Sequence, residues 1–127
     1  MSLADSVRKV IRQKCNPPDQ TKGIIEDMTT RKVENVLVGG ARMGFEQVLD
    51  QNLMDRLVEN RFCIYTFRFI NANVEKLESE IVSFWKGHGF DCVFKIVETL
   101  PFKRYIEGRD IELAQTTCSV TIKLPKN

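Results

Sequence analysis

Hydrophobic residues recur at helical spacing at the start of the chain, after a Ser2–Asp5 pair with the spacing of a helix cap. This pattern predicts a short helix that runs to about residue 14. Pro17 and Pro18 cannot continue it, so the helix stops before them. The apolar positions that share one face are Leu3, Val7, Val10 and Ile11.

A second helical stripe begins at Asp19 or Thr21 and continues to Met43. Gly44 then lies where a left-handed residue ends a helix. Whether Gly39 and Gly40 kink this helix or end it is left open. The stripe is formed by Ile25, Met28, Val33, Val36, Leu37, Gly40 and Met43.

The glycines of this stripe look at first like a phosphate-binding loop. A Walker loop requires lysine and then serine or threonine after its last glycine, but Gly44 is followed by phenylalanine and glutamate. A dinucleotide fingerprint requires a second glycine where this chain has Ala41. We therefore expect no nucleotide site and interpret these glycines as packing or capping residues.

The middle of the chain alternates strand and helix patterns. Residues 45–50 have room for a short edge strand, and a helix follows, opened by Asn52 and Asp55. Residues 61–70 are aromatic and β-branched on both alternating faces, which predicts a central strand. A helix over 73–87 follows, and glycines end it.

The last part of the chain predicts a long β-hairpin. With a turn at Glu107–Asp110, residues 93–106 lie opposite 111–124, and Pro101 requires a bulge, a bend or an edge position. About fourteen residues a side would span about 45 Å, beyond the roughly 15 Å half-width of a domain this size. We therefore expect its tip to lie outside the reach of the chain's own core.

These elements predict an α+β fold. Two N-terminal helices precede a three- to four-stranded mixed or antiparallel sheet with a covering helix and a long C-terminal hairpin arm. We expect a single domain over residues 1–127, with a helical part at 1–44 and an α/β core at 45–127 that includes the arm at 93–124.

Composition places the chain among ordinary globular proteins. It has 127 residues, 43% hydrophobic and 28% charged, with a net charge of +2, which does not demand a polyanionic partner. We recognise neither a signal peptide nor a membrane span, and we expect a cytoplasmic protein. The four cysteines have no zinc-knuckle or C-x-x-C spacing, so we expect reduced thiols.

Residues for catalysis are sparse. The single histidine, His88, lies at a helix end, where its charge suits the helix dipole. With Cys92 and either Cys63 or Cys118 it would form a zinc site only by an unusual spacing. We expect no catalytic site, no metal and no cofactor.

Two basic clusters remain as candidate contact sites. The hairpin tip combines cations with aromatic rings, and acidic neighbours dilute its charge, which favours a protein partner. The first helix supplies cations that, with this tip, suit single-stranded nucleic acid as the alternative function. The tip residues are Phe102, Lys103, Arg104, Tyr105 and Arg109, and the helix residues are Arg8, Lys9, Arg12 and Lys14.

The predicted elements follow one another as a long helix closed by Gly44, a short strand, the segment NLMDRLVENRFCIYTF, and then a helix, a Gly-Phe pair and a hairpin. This order resembles that of small uncharacterised proteins of large tailed bacteriophages. The resemblance covers residues 30–100. It implies a viral accessory or virion component and carries over no functional residue.

The arm also predicts self-association. An arm that leaves Phe102, Tyr105 and Ile106 in water would expose strand edges that proteins normally cover. Packing each arm on a second copy of the chain covers these side chains and these strand edges, so we expect a homo-oligomer, most simply a two-fold dimer. The leading function from sequence is a non-enzymatic binding or assembly protein.

Overall fold

The computed structural model describes residues 2–34 and 50–126. Within these ranges helices precede a three-stranded antiparallel sheet, which confirms the α+β class. The first part contains α1 (Leu3–Cys15), α2 (Thr21–Met28) and α3 (Thr30–Glu34). The second part contains α4 (Gln51–Asn60), β1 (Phe62–Phe69), α5 (Val74–Gly87), β2 (Asp91–Ile106) and β3 (Arg109–Lys123).

The sheet has the order β1-β3-β2, with both pairs antiparallel. The prediction that residues 61–70 form a central strand is wrong for the described part of the chain, where β3 is central and β1 lies at an edge. Apolar content misled the prediction because Phe62 and Ile64 on the second face of β1 are exposed rather than covered.

The helices cover one face of the sheet. Cys63, Ile122 and Cys92 lie side by side in the three strands and point into this core. Trp85 of α5 is fully buried there, and its indole N–H donates to the Met28 carbonyl at 2.9 Å. The buried apolar residues are Met28, Leu53, Leu57, Cys63, Phe69, Leu77, Ile81, Trp85, Phe90, Cys92, Cys118, Val120 and Ile122.

The second predicted helix is interrupted. It ends at Met28, and Thr29 has non-helical dihedral angles (φ −126°, ψ −91°) before α3 begins. The Thr29 hydroxyl donates to the Ile25 carbonyl, so the side chain competes with the backbone ladder at this point. The continuation of the stripe through Val36, Leu37, Gly39, Gly40, Met43 and Gly44, and the predicted strand at 45–50, lie outside the described residues apart from Asp50.

Helix α4 begins earlier than predicted. Asp50, not Asn52, is its N-cap, and the Asp50 carboxylate accepts from the backbone N–H groups of Asn52 and Leu53. Asp55 lies within the helix, where Gln51 donates to it. An aspartate cap is favoured because the helix N-terminus attracts its negative charge.

The hairpin has a tighter turn than predicted. Ile106 pairs directly with Arg109, so Glu107 and Gly108 alone form the turn, with φ of 53° and 76°. Both residues are left-handed, as in the two-residue turns whose twist matches that of the strands. Strands β2 and β3 therefore run over 91–106 and 109–123, not 93–106 and 111–124.

Pro101 occupies an edge position, one of the three predicted alternatives. It lies on β2, an outer strand of the described sheet, opposite Ala114. The register shift is at Val97, between Ile96 and Glu98, and not at the proline. Because proline lacks an N–H, its place in an edge strand leaves the ladder with β3 intact.

Only the outer part of the arm extends beyond the sheet. Strand β1 pairs with β3 as far as Phe69, opposite Thr116, and β2 and β3 continue alone from there to the turn. We call residues 100–115 the distal ribbon. Its seven residue pairs span about 23 Å at roughly 3.3 Å per residue, about half of the predicted 45 Å, because β1 supports the rest.

Candidate interaction surface

The segment between α1 and α2 is fastened to the end of β1. The Gln20 side chain accepts from the backbone N–H groups of Ile70 and Asn71 at 2.9 and 3.3 Å. The Asn71 side chain in turn donates to the Pro17 carbonyl at 2.9 Å, and Gln20 N–H donates to the Asn71 carbonyl at 2.8 Å. The C-terminal end of α1 is thereby held where the distal ribbon leaves the sheet.

Helix α1 lies against the turn end of the distal ribbon and forms a groove with it. Its N-terminus is capped as predicted, with the Ser2 hydroxyl accepting from Asp5 N–H at 3.1 Å. The groove has a volume of about 550 Å³. Its walls are Leu3, Ser6, Val7, Val10, Ile11 and Lys14 of α1 and Tyr105, Ile106 and Glu107 of the hairpin.

The apolar face of α1 remains largely exposed. No residue of this helix is buried, and Leu3, Val7 and Val10 are 81%, 51% and 47% exposed. Tyr105, across the groove, is 77% exposed. Contiguous exposed apolar side chains of this kind are typical of surfaces that contact other molecules.

The tip is partly covered by its own chain. Ile106 is only 8% exposed although it lies outside the main core, and it shares the groove with α1. The expectation that the tip leaves Ile106 in water is therefore wrong, although Ile106 does lie outside the main core. The reason is that α1 packs beside the arm rather than in the core, so the width of the core did not limit the reach of the chain.

The five tip residues do not form one cluster. Alternation along the strands places Phe102 and Arg104 on one face of the distal ribbon, where both are partly buried. Lys103 and Tyr105 lie on the opposite face and are exposed. Arg109 pairs with Ile106, so it belongs to the face of Phe102 and Arg104.

The basic residues of α1 are exposed and point in several directions. Arg8 forms an ion pair with Asp5 at 3.1 Å, and Lys14 lies at the groove. Lys9 and Arg12 lie on other sides of the helix, because neighbouring positions are about 100° apart. The structure therefore brings only Lys14 of this set next to the hairpin tip.

Groups suited to catalysis or metal binding are dispersed. Burial raises the pKa of the Cys63 and Cys118 thiols, and it raises the pKa of Cys92 to about 11. Protonated thiols are poor nucleophiles and poor metal ligands. His88 caps the end of α5, as predicted, and its ring lies 4.6 Å from that of Phe84. The described residues contain no group of three or more histidine, cysteine or acidic side chains arranged to hold a metal ion.

Comparison with known protein families, characterised proteins and solved structures finds no match. No helix within residues 2–34 and 50–126 has the length and apolar character needed to cross a membrane.

Sequence reasoning missed the groove and the sorting of the tip residues. It placed Leu3, Val7 and Val10 on one face of α1 but did not assign that face a role, and these residues form an exposed wall. It also treated the basic and acidic residues of the tip as one mixed set. Two-residue alternation along each strand would have separated them with either turn length, but it was not applied to the tip.

Proposed function

We propose that this protein is a non-enzymatic binding or assembly protein that acts through protein–protein contacts. The observation that carries the proposal is the apolar groove between α1 and the hairpin turn, with Leu3, Val7 and Tyr105 exposed along it. An apolar cleft of this volume suits side chains of a partner.

The groove is held in shape before any partner arrives. Hydrogen bonds from Gln20 and Asn71 fix one end of α1, and the burial of Ile106 fixes the turn. A surface that is ordered in advance loses less conformational entropy on binding, which favours affinity.

We also propose that one of these contacts is self-association, with a two-fold dimer as its simplest form. Each copy exposes the same groove and the same turn. A two-fold arrangement therefore lets the two copies bury their grooves and turns against each other at once. In the dimer the apolar wall of α1 from one copy covers Tyr105 of the other.

Sedimentation velocity on purified protein tests this proposal. Val7→Asp places a charge in the groove and shifts the protein to monomer, because an unpaired buried carboxylate is costly. The matched control is Val58→Asp, which makes the same change on α4 at a position that is 74% exposed and outside the groove. A wild-type protein that stays monomeric at about 1 mM, or a dimer that Val58→Asp disrupts and Val7→Asp does not, would contradict self-association through the groove.

From the resemblance of residues 30–100 we further propose a viral accessory or virion component that acts in the host cytoplasm or in the virion. Mass spectrometry of purified particles distinguishes the two places. A virion component is found at a fixed copy number after salt washing, whereas an accessory protein remains in the lysate.

A further inference from the structure

One face of the distal ribbon is apolar and cationic. The pairing of Phe102 with Leu113 and of Arg104 with Ile111 defines this face, and the burial pattern agrees, since these residues are partly buried while their neighbours are exposed. We call it the apolar–cationic face. Its members are Leu100, Phe102, Arg104, Ile106, Arg109, Ile111, Leu113 and Gln115.

Two of the three acidic residues of the distal ribbon lie on the opposite face, and the third, Glu107, lies in the turn. Glu112 pairs with Lys103, and their side chains approach to 4.0 Å. Asp110 pairs with Tyr105 on the same side. Asp110 and Glu112 are therefore separated from Arg104 and Arg109, and the charged members of the apolar–cationic face are cations.

Arg104 is the polar centre of this face. Its guanidinium lies over the Phe102 ring, 5.3 Å from the ring centroid, which holds the planar group in place. Among the described residues no carboxylate lies within ion-pair distance of Arg104. Beside it is a cavity of about 280 Å³, lined by Ile70, Leu100, Pro101, Phe102, Arg104 and Gln115.

We propose that the apolar–cationic face binds an extended peptide segment of a partner protein in which a carboxylate and an apolar side chain lie two positions apart, so that both point to the same side. The inference rests on the proposed function and names the chemistry of the partner. Arg104 takes a carboxylate, because its fixed fork of donors matches two carboxylate oxygens. The cavity beside it takes the apolar side chain two positions away, and Leu100, 54% exposed, forms the rim of the cavity.

The geometry favours a peptide over single-stranded nucleic acid. Nucleic-acid binders stack bases on exposed rings that lie beside cations. Here Phe102 is partly buried beneath Arg104, and the exposed ring of Tyr105 lies on the face that carries Asp110 and Glu112. A base stacked on Tyr105 would bring its phosphates toward carboxylates.

The peptide is expected on the face rather than along the edge of β2. Addition of a strand at this edge requires donors from the β2 backbone, and Pro101 has none. The side chains of the face therefore carry the recognition, which makes the inference testable by substitutions that leave the backbone pairing intact.

The experiment titrates full-length protein with an acetylated, amidated peptide of sequence SDSLSDS, whose carboxylates and leucine share one side when it is extended, and follows backbone amide shifts by NMR. We expect shifts in residues 100–115 and a Kd below about 1 mM. An SNSLSNS peptide, with neutral amides, is expected to bind about tenfold more weakly because it cannot form the charged bidentate pair.

Arg104→Gln is expected to raise the Kd for the acidic peptide about tenfold, and Arg104→Lys to restore it only in part. Lys103→Gln removes the same charge from the next residue on the opposite face and is the matched control, with no change expected. The amide spectrum of each variant shows that it is folded.

Three results would overturn the inference: no shift with the acidic peptide, equal binding of both peptides, or equal effects of Arg104→Gln and Lys103→Gln. A thymidine oligonucleotide that shifts the same residues when the peptide does not would also overturn it. If the wild-type protein forms the groove-dependent dimer but the peptide does not bind, the inference fails alone. If both are absent, the proposed function fails with it.

Discussion

The Trp85 side chain joins two helices through one hydrogen bond. Its ring fills the core between α5 and the sheet, and its indole N–H donates to the Met28 carbonyl at the end of α2. This carbonyl belongs to the last turn of a helix, where acceptors lack an intrahelical donor. A single side chain therefore both packs the core and satisfies a helix end.

Replacing Trp85 with phenylalanine tests this double role. We expect the free energy of unfolding to fall by about 2 to 4 kcal/mol, because the Met28 carbonyl loses its donor in the core and the smaller ring leaves a space. Urea unfolding followed by far-UV circular dichroism measures the change. The control, Tyr105→Phe, removes an exposed hydroxyl and is expected to change stability by less than about 0.5 kcal/mol. Equal stability of Trp85→Phe and wild type would show that the hydrogen bond is not needed.

At the scale of elements, the two-residue turn sets the register of the arm. With Glu107 and Gly108 at the turn, Arg104 and Phe102 share a face with Leu113. A turn longer by two residues would change the cross-strand partners of both. The dihedral angles of two residues therefore decide which side chains meet across the distal ribbon.

Substitutions at the two turn positions are expected to have opposite effects. Glu107→Asn raises the free energy of unfolding by about 0.5 kcal/mol, because asparagine tolerates the left-handed conformation better than glutamate. Gly108→Val lowers it by about 1 to 2 kcal/mol, because φ is +76° and a β-branched residue is strained there. Thermal unfolding compares both with wild type. If both variants shift the midpoint in the same direction, the turn does not have this conformation in solution.

At the scale of the whole molecule, each strand of the sheet contributes one buried thiol. Cys63 lies on β1, Cys92 on β2 and Cys118 on β3, and burial raises the pKa of each. Burial also raises the pKa of the Tyr65 hydroxyl. Each of these groups keeps its proton in the folded protein at a pH where the unfolded chain has lost it.

Stability is therefore expected to fall as the pH rises from about 9 toward about 11, the range between the ordinary pKa of a thiol, 9.0, and that of Cys92. The sign follows because the unfolded state releases protons first, so alkaline pH favours unfolding. The contribution of Cys92 is about 2 to 3 kcal/mol. Urea unfolding across this pH range measures it.

Cys92→Ala is expected to be less stable than wild type at neutral pH but to lose less stability as the pH rises. Cys15→Ala, which removes the cysteine outside the core, is the control and leaves the decline unchanged. A wild-type stability that is flat over this range would show that the thiols do not hold their protons as the structure implies.

Several features of this protein were determined by the sequence alone. The Ser2 cap, the ends of α1 and α5, and the strands around residues 62–69 and 91–123 follow from local rules of capping and alternation. These rules act between residues a few positions apart, so the α+β class could be predicted without knowing which elements meet.

The tertiary structure decided what depends on contacts between distant residues. The position of β3 between β1 and β2, the groove of α1 with Tyr105, and the exposure of Leu3 each result from pairing or packing across the chain. An apolar stripe has the same sequence pattern whether it is buried or exposed, because periodicity records which side chains share a face and not what covers that face. The arm could be chosen as a candidate contact surface from sequence, but the groove that α1 forms with it could not.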